Sequence, residues 1–131
     1  MRKKAMTAVT LTILVFLAAL PAAAEDWELL GEKTVERRAE RDEIVVTGKE
    51  GTFSKIKLRV RVAGVEFKDV KVHFGNGEIH DVELRRAIPA GSETREIDLP
   101  GKRRVIRKVV FLYKTRPGVK RRAVVTLWGR H

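Results

Sequence analysis

The chain has 131 residues, with 28 Lys+Arg against 17 Asp+Glu and no Cys. That length fits one domain, and the missing thiols exclude disulfides, zinc-thiolate sites and cysteine nucleophiles. A formal charge of +11 points to an anionic partner, or to solubility alone.

Arg2, Lys3 and Lys4 precede the apolar run AVTLTILVFLAAL (Ala8 to Leu20), 13 residues closed by Pro21, Ala22, Ala23 and Ala24. That order and length predict a cleaved secretory signal peptide over 1–24. The run is short of the roughly 20 residues a membrane anchor needs, and no Cys follows it to accept a lipid. The expected mature chain is one domain over 25–131, exported to the periplasm or beyond. Its charge is +8, because the first 24 residues hold three cations and no acid. Residues 101–131 hold eleven Lys or Arg and no acid, whereas 25–100 hold fourteen cations and seventeen acids. The basic charge is therefore concentrated in the C-terminal third.

After residue 24 the hydrophobic period is two, not 3.6, which predicts half-buried strands. WELL (Trp27 to Leu30) reads as a first strand, and ERRAERDE (Glu36 to Glu43) as a solvated connection. A short strand around Ile44 and Val46 follows. KIKLRVRV (Lys55 to Val62) alternates most cleanly, with Ile56, Leu58, Val60 and Val62 inward and Lys55, Lys57, Arg59 and Arg61 outward. VKVHF puts Val70, Val72 and Phe74 inward, VEL puts Val82 and Leu84 inward, and REIDL puts Ile97 and Leu99 inward. VIRKVVFLYK and AVVTLW are apolar on both faces, with Val105, Val109, Phe111 and Tyr113 against Ile106, Val110 and Leu112 in the first. Such strands read as central in their sheets or covered on both sides. Gly48, Gly51, Gly64, Gly75-Asn76-Gly77, Pro89-Ala90-Gly91, Pro100-Gly101 and Arg116-Pro117-Gly118 punctuate the runs. The expected fold is all-β, an antiparallel β-sandwich of jelly-roll type with about eight strands.

VHFGNGEIHDVEL (Val72 to Leu84) places two His and three carboxylates around Gly-Asn-Gly. A two-residue Asn76-Gly77 hairpin would set core Val72 opposite Asp81. The connection must then be longer or bulged, or the two strands lie in opposite sheets. The last alternative satisfies the alternation without strain and is the expectation. Asn76, Glu78, Asp81 and His80 could supply metal donors, but the calcium-loop spacing is missing, and no metal is expected. Ser54 and Ser92 stand outside any nucleophile-elbow motif. Glu83 and Glu96 could serve a glycosidase only if they converged, and alternating exposed acids are ordinarily solvated. No enzymatic activity and no cofactor are expected. Trp27 and Trp128 bracket the mature chain and are expected to close the core where the first and last strands meet.

The layout resembles a family of small exported bacterial proteins of unknown function. The segments that carry it are WELLGEKTV, FSKIKLRV, VKVHFGNGEIHDVEL, ETREIDLPGKRRVIRKVVFLYKTRPG and VVTLWG. The resemblance implies export and a β-sandwich and is silent on mechanism. A jelly roll is also similar to carbohydrate-binding sandwiches, an analogy of fold alone.

The first functional expectation is a non-enzymatic exported sandwich that binds an anionic glycan, lipid head group or envelope protein. The candidate surface is Lys114, Arg116, Lys120, Arg121, Arg122, Arg103 and Arg104, with Lys102, Arg107 and Lys108 beside them. Basic residues also protect strand edges. Export and scarce aromatics weigh against nucleic acid. The alternatives are a sugar-binding module, with a Trp or Tyr113 as platform, and a structural or assembly protein of the cell envelope.

Overall fold

Alternation of branched apolar residues with Lys and Arg favours pleated, half-buried backbone. In the computed structural model, which describes residues 27–36, 40–46, 51–116 and 120–131, those segments are strands. The expected signal peptide over 1–24 and the Arg116-Pro117-Gly118 turn lie, wholly or in part, outside the described residues. The strands are β1 (Trp27–Thr34), β2 (Arg41–Val45), β3 (Lys55–Arg61), β4 (Val65–Phe74), β5 (Ile79–Val82), β6 (Arg86–Ile88), β7 (Ile97–Asp98), β8 (Ile106–Lys114) and β9 (Val124–Arg130). No described residue is helical.

All pairing is antiparallel. One sheet runs β1-β9-β3-β7, and the other β2-β8-β4-β5, with β6 also pairing β4. β5 pairs with Val70–His73 and β6 with Val65–Phe67, so the two share one edge position. With that position counted once, successive strands fill two interleaved four-strand sheets in the order of a jelly roll. The two segments apolar on both faces, β8 and β9, are indeed each flanked by two neighbours.

The core lies between the sheets. Ile56, Leu58, Val60, Val125 and Leu127 face Val70, Val72, Val109, Phe111 and Tyr113, all buried. Phe111 packs edge-on to Phe67 with centroids 5.7 Å apart, and lies 5.5 Å from Tyr113. Gly129 faces inward because Leu30 and Phe53 leave no room: a Cβ there would stand 2.6 Å from Leu30 and 2.8 Å from Phe53.

Several expectations are corrected. The segments around Val72 and Leu84 share a sheet rather than lying in opposite ones: Val70 faces Val82 and Val72 faces His80. A three-residue loop restores the parity that a two-residue turn would break. Phe74 N–H donates to Glu78 O (2.9 Å), Gly77 N–H donates to Phe74 O (3.0 Å), and Gly77 takes a φ of 94°. The parity of β4 itself flips, with Val65 and Phe67 inward and then Val70, Val72 and Phe74, because the register slips between Phe67 and Asp69. A second slip between His73 and Phe74 leaves Ile106 buried and Val105 exposed, the reverse of the expected pairing with Val109. Val62 is exposed in a turn rather than inward in the strand. The expected connection Glu36 to Glu43 ends in strand, since β2 begins at Arg41.

Candidate functional site

The cations of the C-terminal third do not form one patch. β8 is nine residues long, about 30 Å of extended chain, so the residues before it and after it sit at opposite ends of the sandwich. Lys102, Arg103, Arg104 and Arg107 are at one end. Lys114, Arg116, Lys120, Arg121 and Arg122 are at the other. Lys108 is on the outer face of its sheet, 3.3 Å from Glu43.

At the first end Arg104 is a fold residue. Its main chain exchanges hydrogen bonds with Phe53 (2.8 and 2.9 Å). Its guanidinium lies 3.7 Å from the centroid of Phe74, pairs with Glu78 and donates to Pro100 O at 3.1 Å. Only 17% of the side chain is exposed. Hydrogen bonds from Asn76 and Arg104 hold the Glu78 carboxyl below its ordinary range. The loop with two His and three acids is therefore turn and clamp. Among the described residues no three His, Asp or Glu side chains gather as metal donors.

The other end carries a groove with cations on its wall. This groove, of about 610 Å³, lies between residues 62–65, 87–90 and 114–116. Lys114 and Arg116 stand on its wall, and Lys120 and Arg121 follow in the same connection. None of these four has an ion-pair partner among the described residues. Arg122 is different, since it pairs with Glu36 at 3.2 Å. Glu66, the acid in the groove lining, is paired with Lys68 at 3.1 Å. Val62 has a φ of 75°, and Ala63 N–H donates to Arg61 O at 2.9 Å. That is a γ-turn of the strained hand, with a β-branched residue where only glycine is comfortable. The opposite wall is a tight turn, in which Ser92 N–H donates to Pro89 O at 3.1 Å and Gly91 takes a φ of 89°.

Other candidate groups are committed elsewhere. Tyr113 is no sugar platform: it is buried, and its hydroxyl donates to Asp42 (2.9 Å) and lies 3.2 Å from Glu36 O. Burial and the Asp42 carboxylate push its phenol well above the usual range. Ser54 Oγ lies 3.3 Å from Arg130 O and 3.3 Å from His131 O. Glu96 pairs with Lys55 at 3.6 Å, and Glu83 follows β5 in the other sheet. Burial, then Lys108 and Arg107, keep the His73 imidazole below its ordinary pKa.

The strands that carry the two tryptophans do meet, as β1 pairs β9 with Leu29 opposite Trp128. Neither indole closes the core. Both lie on the outer face, partly exposed, opposite in direction to buried Leu127 and Leu30. The parity of VVTLW already separated Trp128 from Val125 and Leu127. Residue size argued for burial and gave the wrong side.

No curated protein matches the chain. A solved structure of AlgX from Pseudomonas aeruginosa is similar, with a TM-score of 0.56 at 10% identity over 79% of this chain and 26% of that one. The chain thus spans about a quarter of that protein's length, and the likeness concerns fold alone. Over residues 8–129 the sequence matches the family model of a domain of unknown function, DUF2541, and the chain belongs to that family.

Proposed function

We propose that this is an exported, non-enzymatic binding module that takes an anionic glycan of the cell envelope at the basic end of its sandwich. The observation that supports it is the groove with Lys114 and Arg116 on its wall, Lys120 and Arg121 following in the same connection, and none of the four paired with a carboxylate among the described residues. Elsewhere many surface cations sit against a carboxylate, as in Lys55–Asp98, Lys57–Glu93, Arg61–Glu32 and Lys71–Asp81, and Lys102, Arg103 and Arg107, which have no carboxylate partner among the described residues, line no part of the groove. Cations without partners repel one another and gain most from a bound anion. A groove rather than a flat face favours a chain that enters it over a lipid surface. The strained turn at Val62 gives a further reason, because such strain persists where surrounding structure over-determines it and collects at ligand sites. Export rests on the basic, apolar and small-residue order of 2–24. The non-catalytic reading rests on the committed hydroxyls and paired acids described above.

The test is binding of an acidic polysaccharide at low and physiological salt, with vesicles of anionic and of zwitterionic lipid in parallel. Saturable polysaccharide binding that falls steeply as salt rises is the expected result, since surface charges are screened beyond about 8 Å at physiological ionic strength. Binding to anionic vesicles alone would move the reading to a lipid surface. Binding to neither would leave the cations as edge protection.

A further inference from the structure

The outer face of the β1-β9-β3-β7 sheet presents an apolar island in a charged surround. Register sets Trp27 and Lys55 on either side of Arg130, and Leu29 and Lys57 on either side of Trp128. Trp128 folds back along its own strand: its Nε1–H donates to Thr126 Oγ1 at 3.0 Å. Thr126 is consequently buried although it faces outward. The Lys57 ammonium lies 4.3 Å from the centroid of a Trp27 ring and 3.3 Å from Glu93. Leu29 between them is 48% exposed. The indole N–H of Trp128 is thus satisfied internally, and Trp27 is held from across the sheet by a fixed cation.

We infer that Trp27, Trp128 and Lys57 form a second ligand site, a platform on which the ring of a neutral sugar stacks. Indoles fixed on the outer face of a sheet offer an apolar surface at small entropic cost, which suits the C–H face of a pyranose. The rim offers what its hydroxyls need. Lys57–Glu93 (3.3 Å), with the Lys57 ammonium against Trp27, and beyond it Lys55–Glu96 and Lys55–Asp98 (both 3.6 Å) supply donors and acceptors along the β3 side of the same sheet. Because these cations are already paired, an anionic ligand gains little here, unlike at the basic end. A second copy of the chain fits poorly. A stable protein contact buries roughly 800 Å² per partner, and this island is three side chains, two of them more than half covered. The inference is independent of the basic-end reading.

Both tryptophans of the chain stand on this face, so the intrinsic fluorescence of the intact protein reports it alone. The test titrates the protein with tetramers of β-1,4-glucose, β-1,4-mannose and N-acetylglucosamine at low and high salt. At least one should give a saturable emission change that salt does not alter. Trp27→Ala and Lys57→Met should each weaken it about tenfold, the scale of one aromatic contact. Lys120→Glu with Arg121→Glu should leave it unchanged. Trp128→Ala uncovers Thr126 and risks the fold, so the decisive variants are Trp27→Ala and Lys57→Met, checked for native far-UV dichroism. Silence toward all three tetramers overturns the inference. So does binding that is lost with salt, or a folded Trp27→Ala protein that binds like the parent.

Discussion

Arg104 stacks on Phe74 at 3.7 Å and grips Glu78, which joins the β4–β5 hairpin to the segment that leads into β8. The pair reinforces a junction that backbone pairing and the buried Phe74 and Ile106 already hold together. Arg104→Ala should lower stability by about 1–2 kcal/mol, the sum of a mostly covered cation–π contact and a charge-assisted hydrogen bond. Arg104→Lys should recover little of this, since an ammonium has neither the plane nor the fork. Neither change should alter binding of an acidic polysaccharide. Urea melts and a binding isotherm on the same samples check both statements. Lost binding with intact stability would return Arg104 to the ligand site.

The same clamp has a pH signature. The Glu78 carboxyl is held below its ordinary value by Asn76 and Arg104, so the folded state releases that proton more readily than the unfolded state. Its contribution is present above the ordinary carboxylate range, about 4.3, and is lost as pH falls through the lower folded value. The parent should therefore lose more stability than Glu78→Gln between about pH 5 and pH 3. Parallel melting curves for the two proteins across that window would contradict the assignment.

Charge reversal separates the two ends. Lys114→Glu, Lys120→Glu and Arg121→Glu together should abolish salt-sensitive binding of the acidic polysaccharide. Thermal stability should stay within about 1 kcal/mol, since exposed charges contribute little to folding. The same three-fold reversal at Lys102, Arg103 and Arg107 changes net charge equally at the far end and should weaken binding much less. Equal losses from both would mean a generic attraction to net charge.

Val62→Gly isolates the strained turn. A β-branched residue at a φ of 75° carries about 1–3 kcal/mol of strain, and glycine there costs the unfolded chain's extra freedom, about 0.5–1 kcal/mol. The net expectation is a modest rise in melting temperature. A clear drop would show that the exposed Val62 side chain makes contacts that outweigh the strain.

Leu58→Asp places a carboxylate at a fully buried position and should unfold the domain or cost several kcal/mol. Its neighbour Lys57 looks like a free surface residue in the alternation, yet it bridges Trp27 and Glu93. Lys57→Asp should therefore cost more than the usual surface change of about 0.5 kcal/mol, and Arg59→Gln is the neutral comparison. Denaturant melts of the three variants should rank in that order.

What could be read from the sequence was whatever a period of two records. It placed Leu58, Val72 and Leu127 in the core and made β8 and β9 central, since apolar residues on both faces suit an inner strand, although Leu112 and Trp128 stay partly exposed on the outer faces. It failed where the backbone inserts a residue. Nothing in EFKDV marks the slip near Lys68, and nothing in VIRKV marks the one that exchanges Val105 and Ile106. Both depend on the partner strand. The basic cluster was misjudged for a simpler reason: residues close in sequence but separated by a nine-residue strand cannot be close in space. The tryptophans were misjudged because residue size outweighed parity. The groove was invisible, since its walls come from three segments far apart in the chain.

β1 pairs with β9 and β2 with β8, so the earliest strands close on the latest. The last seven-residue strand is not trim at an edge but the middle of its sheet. A chain cut before Val124 would leave β1 and β3 with no strand between them and both faces of the sheet interrupted. Growing chains meet the same condition: neither sheet can finish until its inner strand, β8 or β9, is available, and most pairing must wait for distant partners. Folding of this domain is thereby timed by the arrival of β9 rather than by stepwise addition of strands.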